Sequence, residues 1–214
     1  MRPQSANERS LFPALADGGR LPFFALALGL IAAGSAALFL TVTGHFLPHD
    51  EHFLGMTAEQ LCSHHGCRVV HFMIHDRAAF GGVVLAIGLL YLWLAEFPLR
   101  QRAAWAWWAV LLSGVAGFAS FLAYVVFGYL DLWHGAATLA LLPCYVLGLI
   151  YSWGTLETPR GIRSLLIPGV RLLRGSCAGV GRLCLLTAAA GVLGAGATIL
   201  TLGCSFPRIW RSWA

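Results

Sequence analysis

From Leu21 to Val42 the chain runs 22 residues without a charged side chain. A helix needs about 20 apolar residues to cross a hydrocarbon layer about 30 Å thick, so this one run already fits a bilayer. Four more long apolar runs follow it. The chain is 58% hydrophobic and only 11% charged, with a mean hydropathy of +0.75. A soluble domain carries about 25% charged residues, and no soluble fold of this length could cover so much apolar surface. The sequence therefore predicts an all-α, polytopic transmembrane helical bundle of about five spans, a single membrane domain over residues 1–214.

Residues 1–20 are polar and hold Arg2, Arg9 and Arg20, which suits a cytoplasmic tail. The first span is read at 21–42. It is too long for a signal-peptide core, and no convincing small-x-small cleavage site follows, so it is expected to stay as an anchor. Residues 43–68 form a histidine-rich extracytoplasmic loop. Within it, Thr57-Ala-Glu-Gln60 is a capping box that predicts a short helix from Ala58. The second span, 69–96, opens on two polar turns (His71, His75, Asp76, Arg77) and is apolar from Ala78 to Ala95. A turn with Pro98, Arg100 and Arg102 leads to the third span, 104–130. Asp131-Leu-Trp-His134 then leads tightly into the fourth, 134–153. Residues 155–182 carry five arginines among regularly spaced apolar residues and read as an interfacial amphipathic segment. The fifth span is read at 183–203, with a tail over 204–214.

All 14 basic residues are arginine, and their distribution sets the expected orientation. With the N-terminus inside, Arg2, Arg9, Arg20, Arg100, Arg102, Arg160, Arg163, Arg171, Arg174 and Arg182 lie inside. Only Arg68, Arg77, Arg208 and Arg211 lie outside. Positive charge accumulates on the cytoplasmic side, so the expectation is N-in, C-out, in a bacterial inner membrane. Trp93, Trp105, Trp107, Trp108 and Trp153 fall near the inner boundary, and Trp133, Trp210 and Trp213 near the outer one. Indole prefers that headgroup zone. Small residues at Ser113, Ala116, Gly117 and Ser120, and at Ala190, Gly191, Gly194 and Ala195, mark expected helix-packing faces. The dispersed arginines exclude a nucleic-acid interface. The partners expected are the lipid bilayer and a membrane-protein partner or second copy of the chain.

Six cysteines form neither CxxC nor CxxCH, so zinc ribbons and covalent haem are unsupported. Cys62 and Cys67 flank a histidine pair in the loop and are a disulfide candidate on an oxidising face. Phosphate loops and GxSxG elbows are absent, as are the HxxHH boxes of membrane desaturases.

The chemistry-bearing residues gather on one side. Short turns make spans two, three and four alternate in direction. The start of span two, the end of span three and the start of span four therefore share a face. That face holds His71, His75, Asp76, Asp131 and His134, and the loop adds His45, His49, Asp50, Glu51, His52, His64 and His65. His71 and His75 lie one helical turn apart, so both imidazoles can point the same way. Imidazole suits zinc, iron and copper, and a carboxylate from Asp76 or Asp131 can ligate or orient a ring. The expected metal site is His71, His75, Asp131 and His134, with His64, His65, His49, His52 and Asp76 as secondary candidates. Haem held between two histidines is a further option. The geometric expectation is an imidazole nitrogen of His71 or His75 within about 5 Å of an Asp131 or His134 side chain, which allows slack around ligand distances of about 2 Å.

Three function classes follow. One is a redox or hydrolytic membrane enzyme with this site, acting on an apolar substrate. Another is a non-catalytic subunit or assembly factor that offers its loop to a partner. The last is a transporter of an apolar or protonated small molecule, disfavoured because polar pathways call for ionisable groups inside the spans.

Overall fold

The computed structural model describes residues 20–65, 67–126, 132–156 and 177–210, and among these it is helical with no strand. Four long helices, α1 (Arg20–Thr43), α4 (Arg68–Glu96), α5 (Ala104–Val126) and α6 (Leu132–Trp153), make up most of a first unit. Two short helices, α2 (Pro48–Leu54) and α3 (Ala58–His65), sit between α1 and α4. A second unit contains α7 (Cys177–Trp210). Residues 157–176, which hold most of the expected interfacial segment, lie outside the described residues.

Among the described residues, three helical segments are long and apolar enough to cross a membrane: Arg20–Thr43, Arg68–Glu96 and His134–Trp153. Within α5 and α7 the apolar helical stretches are shorter, Ala104–Ser120 and Leu183–Thr198. Large apolar side chains such as Leu28, Phe39, Leu89 and Ile150 are exposed along the long helices. Such surface suits lipid contact, since lipid rather than water is then its solvent.

Among the described helices, α1 and α4 pack most extensively. Ala27 and Gly34 on α1 are seven residues apart, as are Gly81, Gly88 and Ala95 on α4. A Cβ added to Gly34 would come 2.8 Å from the Gly81 carbonyl oxygen, and one on Gly88 would come 2.8 Å from the Ile31 nitrogen. The helices run antiparallel and touch backbone to backbone. In lipid, association depends on such close van der Waals packing. Aromatic rings fill two further glycine notches: Phe23 lies on Gly148 of α6, and Tyr145 of α6 lies on Gly114 of α5. Phe23, Leu26, Tyr91, Val110 and Tyr145 are buried at the centre.

The small face expected on α5 packs only in part, with Ser113 meeting Tyr91 of α4. Gly117 on α5 has open space where a Cβ would go. Among the described residues of its own unit, none packs on Gly191 or Gly194 of α7. A small residue permits close approach but does not select the partner.

Polar groups between helices are paired. The Tyr145 hydroxyl donates to the Leu111 carbonyl (2.7 Å), and the Trp107 indole donates to the Leu149 carbonyl (3.0 Å). Tyr91 and Ser113 share a hydrogen bond of 2.8 Å between α4 and α5. At this end Glu96 accepts from Arg100 (2.8 Å) and lies 3.9 Å from Arg20. The α4–α5 turn places Arg102 at φ 59°, in the left-handed region that residues other than glycine seldom adopt.

Candidate functional site at the capped end of the helices

Opposite the Arg20–Glu96 end, residues 44–65 fold into a cap. The sequence reading treats this stretch as loop except near Ala58, where α3 does begin. There the Gln60 side chain accepts from the Thr57 N–H (2.9 Å) and the Thr57 hydroxyl accepts from the Gln60 N–H (3.3 Å), completing the capping box. Helix α2 was not anticipated. Its signals are local and legible: Pro48 at the first turn, Asp50 and Glu51 just after, and Gly55 closing it at φ 67°. Phe46, Leu61 and Val70 form a small buried core beneath the cap, with Leu54, Met73 and Ile74 packed around them.

One buried carboxylate organises this end. Asp50 is 6% exposed. Its Oδ2 accepts the Leu47 N–H at 3.1 Å, which closes the start of α2, and it also receives Arg77 Nη2 at 2.6 Å. Arg77 Nη1 donates to the His45 carbonyl at 3.0 Å, so one guanidinium on α4 holds two points of the cap. A buried ion pair is tolerable only when hydrogen bonds of this kind satisfy both partners. Asp76 does not take this role and is exposed. Adjacent helix residues point about a quarter-turn apart, so when Arg77 faces the cap its neighbour cannot.

The histidines divide into two groups. His49 lies next to Asp50, with Nε2 3.4 Å from Oδ1, and its ring meets that of His134 edge-on at a centroid separation of 6.1 Å. His45, His52, His71 and His75 are exposed. The structure thus brings the first turn of α6 against α2 through His134, and the ring recorded against His134 is that of His49. Asp131 lies outside the described residues, as do the side chains of His64 and His65. Among the described residues no group of three or more His, Cys, Asp or Glu side chains is gathered as a metal-holding cluster. The His49–His134 juxtaposition had no signal in periodicity, because its members belong to separate elements far apart in sequence.

Cys62 and Cys67 are joined by a disulfide linking the last turns of α3 to the residue that opens α4. Cys144 and Cys184 are free thiols. Just inside α3, the Glu59 carboxyl is held below its ordinary range by a hydrogen bond to its own backbone N–H, then by the Thr57 hydroxyl.

No protein-family model, curated protein or solved structure matches this chain.

Proposed function

We propose that this chain is a five-span integral membrane protein of the bacterial inner membrane, N-in and C-out. It works at the extracytoplasmic face through its cap, where imidazoles hold a transition metal ion. Apolar helices suited to lipid contact support the membrane reading. The arginine asymmetry supports the orientation, and the cap disulfide suits an oxidising compartment. Helices α5 and α7, at 23 and 34 residues, are long enough in total to span even though their described apolar stretches are shorter.

The observation that carries the chemical reading is the His49–His134 pair. Two imidazoles from different elements lie ring to ring beside a buried carboxylate. A carboxylate against one ring nitrogen fixes the tautomer and strengthens the ring as a ligand. Zinc, iron and copper all accept imidazole. A metal there would act as a Lewis acid or redox centre toward an apolar substrate arriving from the bilayer.

A second reading is a non-catalytic subunit. It is favoured by the exposure of His45, His52, His71 and His75 on a cap already held by a buried ion pair. Transport is the weakest reading. Among the described residues, no Asp, Glu, His or Arg falls within the apolar runs 21–43, 78–95, 104–126 or 135–153.

Metal content of the detergent-purified protein, expressed with metals supplied, separates these readings. The metal reading expects near-stoichiometric metal in the wild type, retained in His71→Ala/His75→Ala and lost in His49→Ala/His134→Ala. Loss in the first variant alone would move the site to the exposed pair. A metal-free wild type would leave the subunit reading.

A further inference from the structure

The Cys62–Cys67 bond is well placed for chemistry and does little for the fold. It closes a short loop between two helices already adjacent in sequence, α3 and α4, which also pack through Leu61 and Val70. Opening it would leave that apolar contact and the Asp50–Arg77 pair in place. A disulfide that stabilises by restricting the unfolded chain does least when its loop is short.

Its two sulfurs are not equivalent. Cys62 is half-buried inside α3, whereas Cys67 is exposed and caps a 29-residue helix. Exposed Arg68 follows directly, and His71 lies one turn on, with its N–H bonded to the Cys67 carbonyl at 2.8 Å. A helix N-terminus beside an arginine favours the thiolate, the form that attacks disulfides and leaves readily from them. Val69 and Phe72 are exposed on the same turns and give an apolar patch beside the bond.

From this arrangement we propose that Cys62–Cys67 is a redox-active disulfide that accepts two electrons from a protein dithiol. A donor thiolate attacks Cys67 Sγ. The Cys62–Cys67 bond breaks, and its electron pair leaves on Cys62 Sγ, which takes up a proton. The donor is then joined to Cys67 as a mixed disulfide. The donor's second thiol loses its proton and attacks the donor sulfur of that bond, releasing Cys67 as a thiolate at the start of α4. The donor leaves as a disulfide, and the cap holds two reduced sulfurs. Val69 and Phe72 offer the donor's flanking residues an apolar seat.

The test uses the whole protein in detergent, without denaturant. Excess dithiothreitol is added, followed by iodoacetamide at pH 6 and site-resolved mass spectrometry, with circular dichroism recorded throughout. The proposal expects the bond to open with helicity unchanged, and Cys67 to alkylate at least about five times faster than Cys62, as its thiolate-favouring surroundings require. A bond that stays closed, helicity that falls on opening, or equal rates at the two sulfurs would overturn it. A second arm offers glutathione disulfide to Cys62→Ser and Cys67→Ser. Glutathione should couple faster to Cys67 in the first variant than to Cys62 in the second, and equal coupling contradicts the assignment. Should a variant fail to fold, the wild-type arm still decides. Neither arm needs a metal, so this proposal and the metal reading can fail separately.

Discussion

Arg77 ties the cap to α4 at two points. It pairs with buried Asp50 and also donates to the His45 carbonyl. Arg77→Met leaves the carboxylate without its cation, so it should destabilise the cap by about 3 kcal/mol, the penalty typical of a buried charge that loses its partner. In Asp50→Asn/Arg77→Met much of that loss should return, because no uncompensated charge remains. Chemical unfolding of the four proteins in detergent measures the coupling as a double-mutant cycle. Glu59 makes a pH prediction. Its carboxyl titrates below the ordinary range in the folded chain, chiefly through its own backbone N–H and then Thr57. A depressed folded value means that the contribution is present above the unfolded carboxylate range and fades as pH falls through the folded value. The first turn of α3 should therefore exchange its amide hydrogens more readily, relative to intrinsic rates, in acid than at neutral pH. Glu59→Gln should remove that dependence.

At the scale of elements, the helix seam makes the sharpest prediction. Gly34→Ala pushes a methyl group against the Gly81 carbonyl and the Leu85 backbone. It should cost about 1–3 kcal/mol, the usual range for overpacking. Gly82→Ala, one residue from the seam and facing open space, should stay within about 0.5 kcal/mol of the wild type. Thermal unfolding in detergent distinguishes the two. Most helix ends were legible in the sequence because the signals that set them are local. The reading placed spans at 21–42, 69–96 and 134–153, and the helices run Arg20–Thr43, Arg68–Glu96 and Leu132–Trp153. Thr57 and Gln60 announced α3 because a capping box is complete within four residues. Helix α2 was equally local, but its Pro48 and Gly55 signals lie among histidines that drew attention as ligands. The α1–α4 seam was written in the seven-residue spacing of Gly81, Gly88 and Ala95. Composition alone does not say which small residues find a partner: Ser113 and Gly114 of α5 meet Tyr91 and Tyr145, while Gly117 faces open space.

For the whole molecule, the histidine-rich end was legible as a place and not as a geometry. Alternating helix direction brings the start of α4 and the start of α6 to one end, and His134 does meet the cap there. Which histidine it meets depends on how α2 folds over that end, and α2 is anchored by Asp50 to Arg77. Nothing in the His71–His75 spacing carries that information. The cap's position at one end of the helices makes its side of the membrane the claim on which the metal reading depends. That claim is tested most directly by reporter fusions expressed in bacteria, pairing alkaline phosphatase, active only outside, with a fluorescent protein that matures only inside. The account predicts an active phosphatase after Gly55, fluorescence after Gly154 and an active phosphatase after Ala214. Fluorescence after Gly55 would put the cap in the cytoplasm and contradict the account. Fluorescence after Ala214 with phosphatase after Gly55 would keep the outward cap but remove α7 as a span.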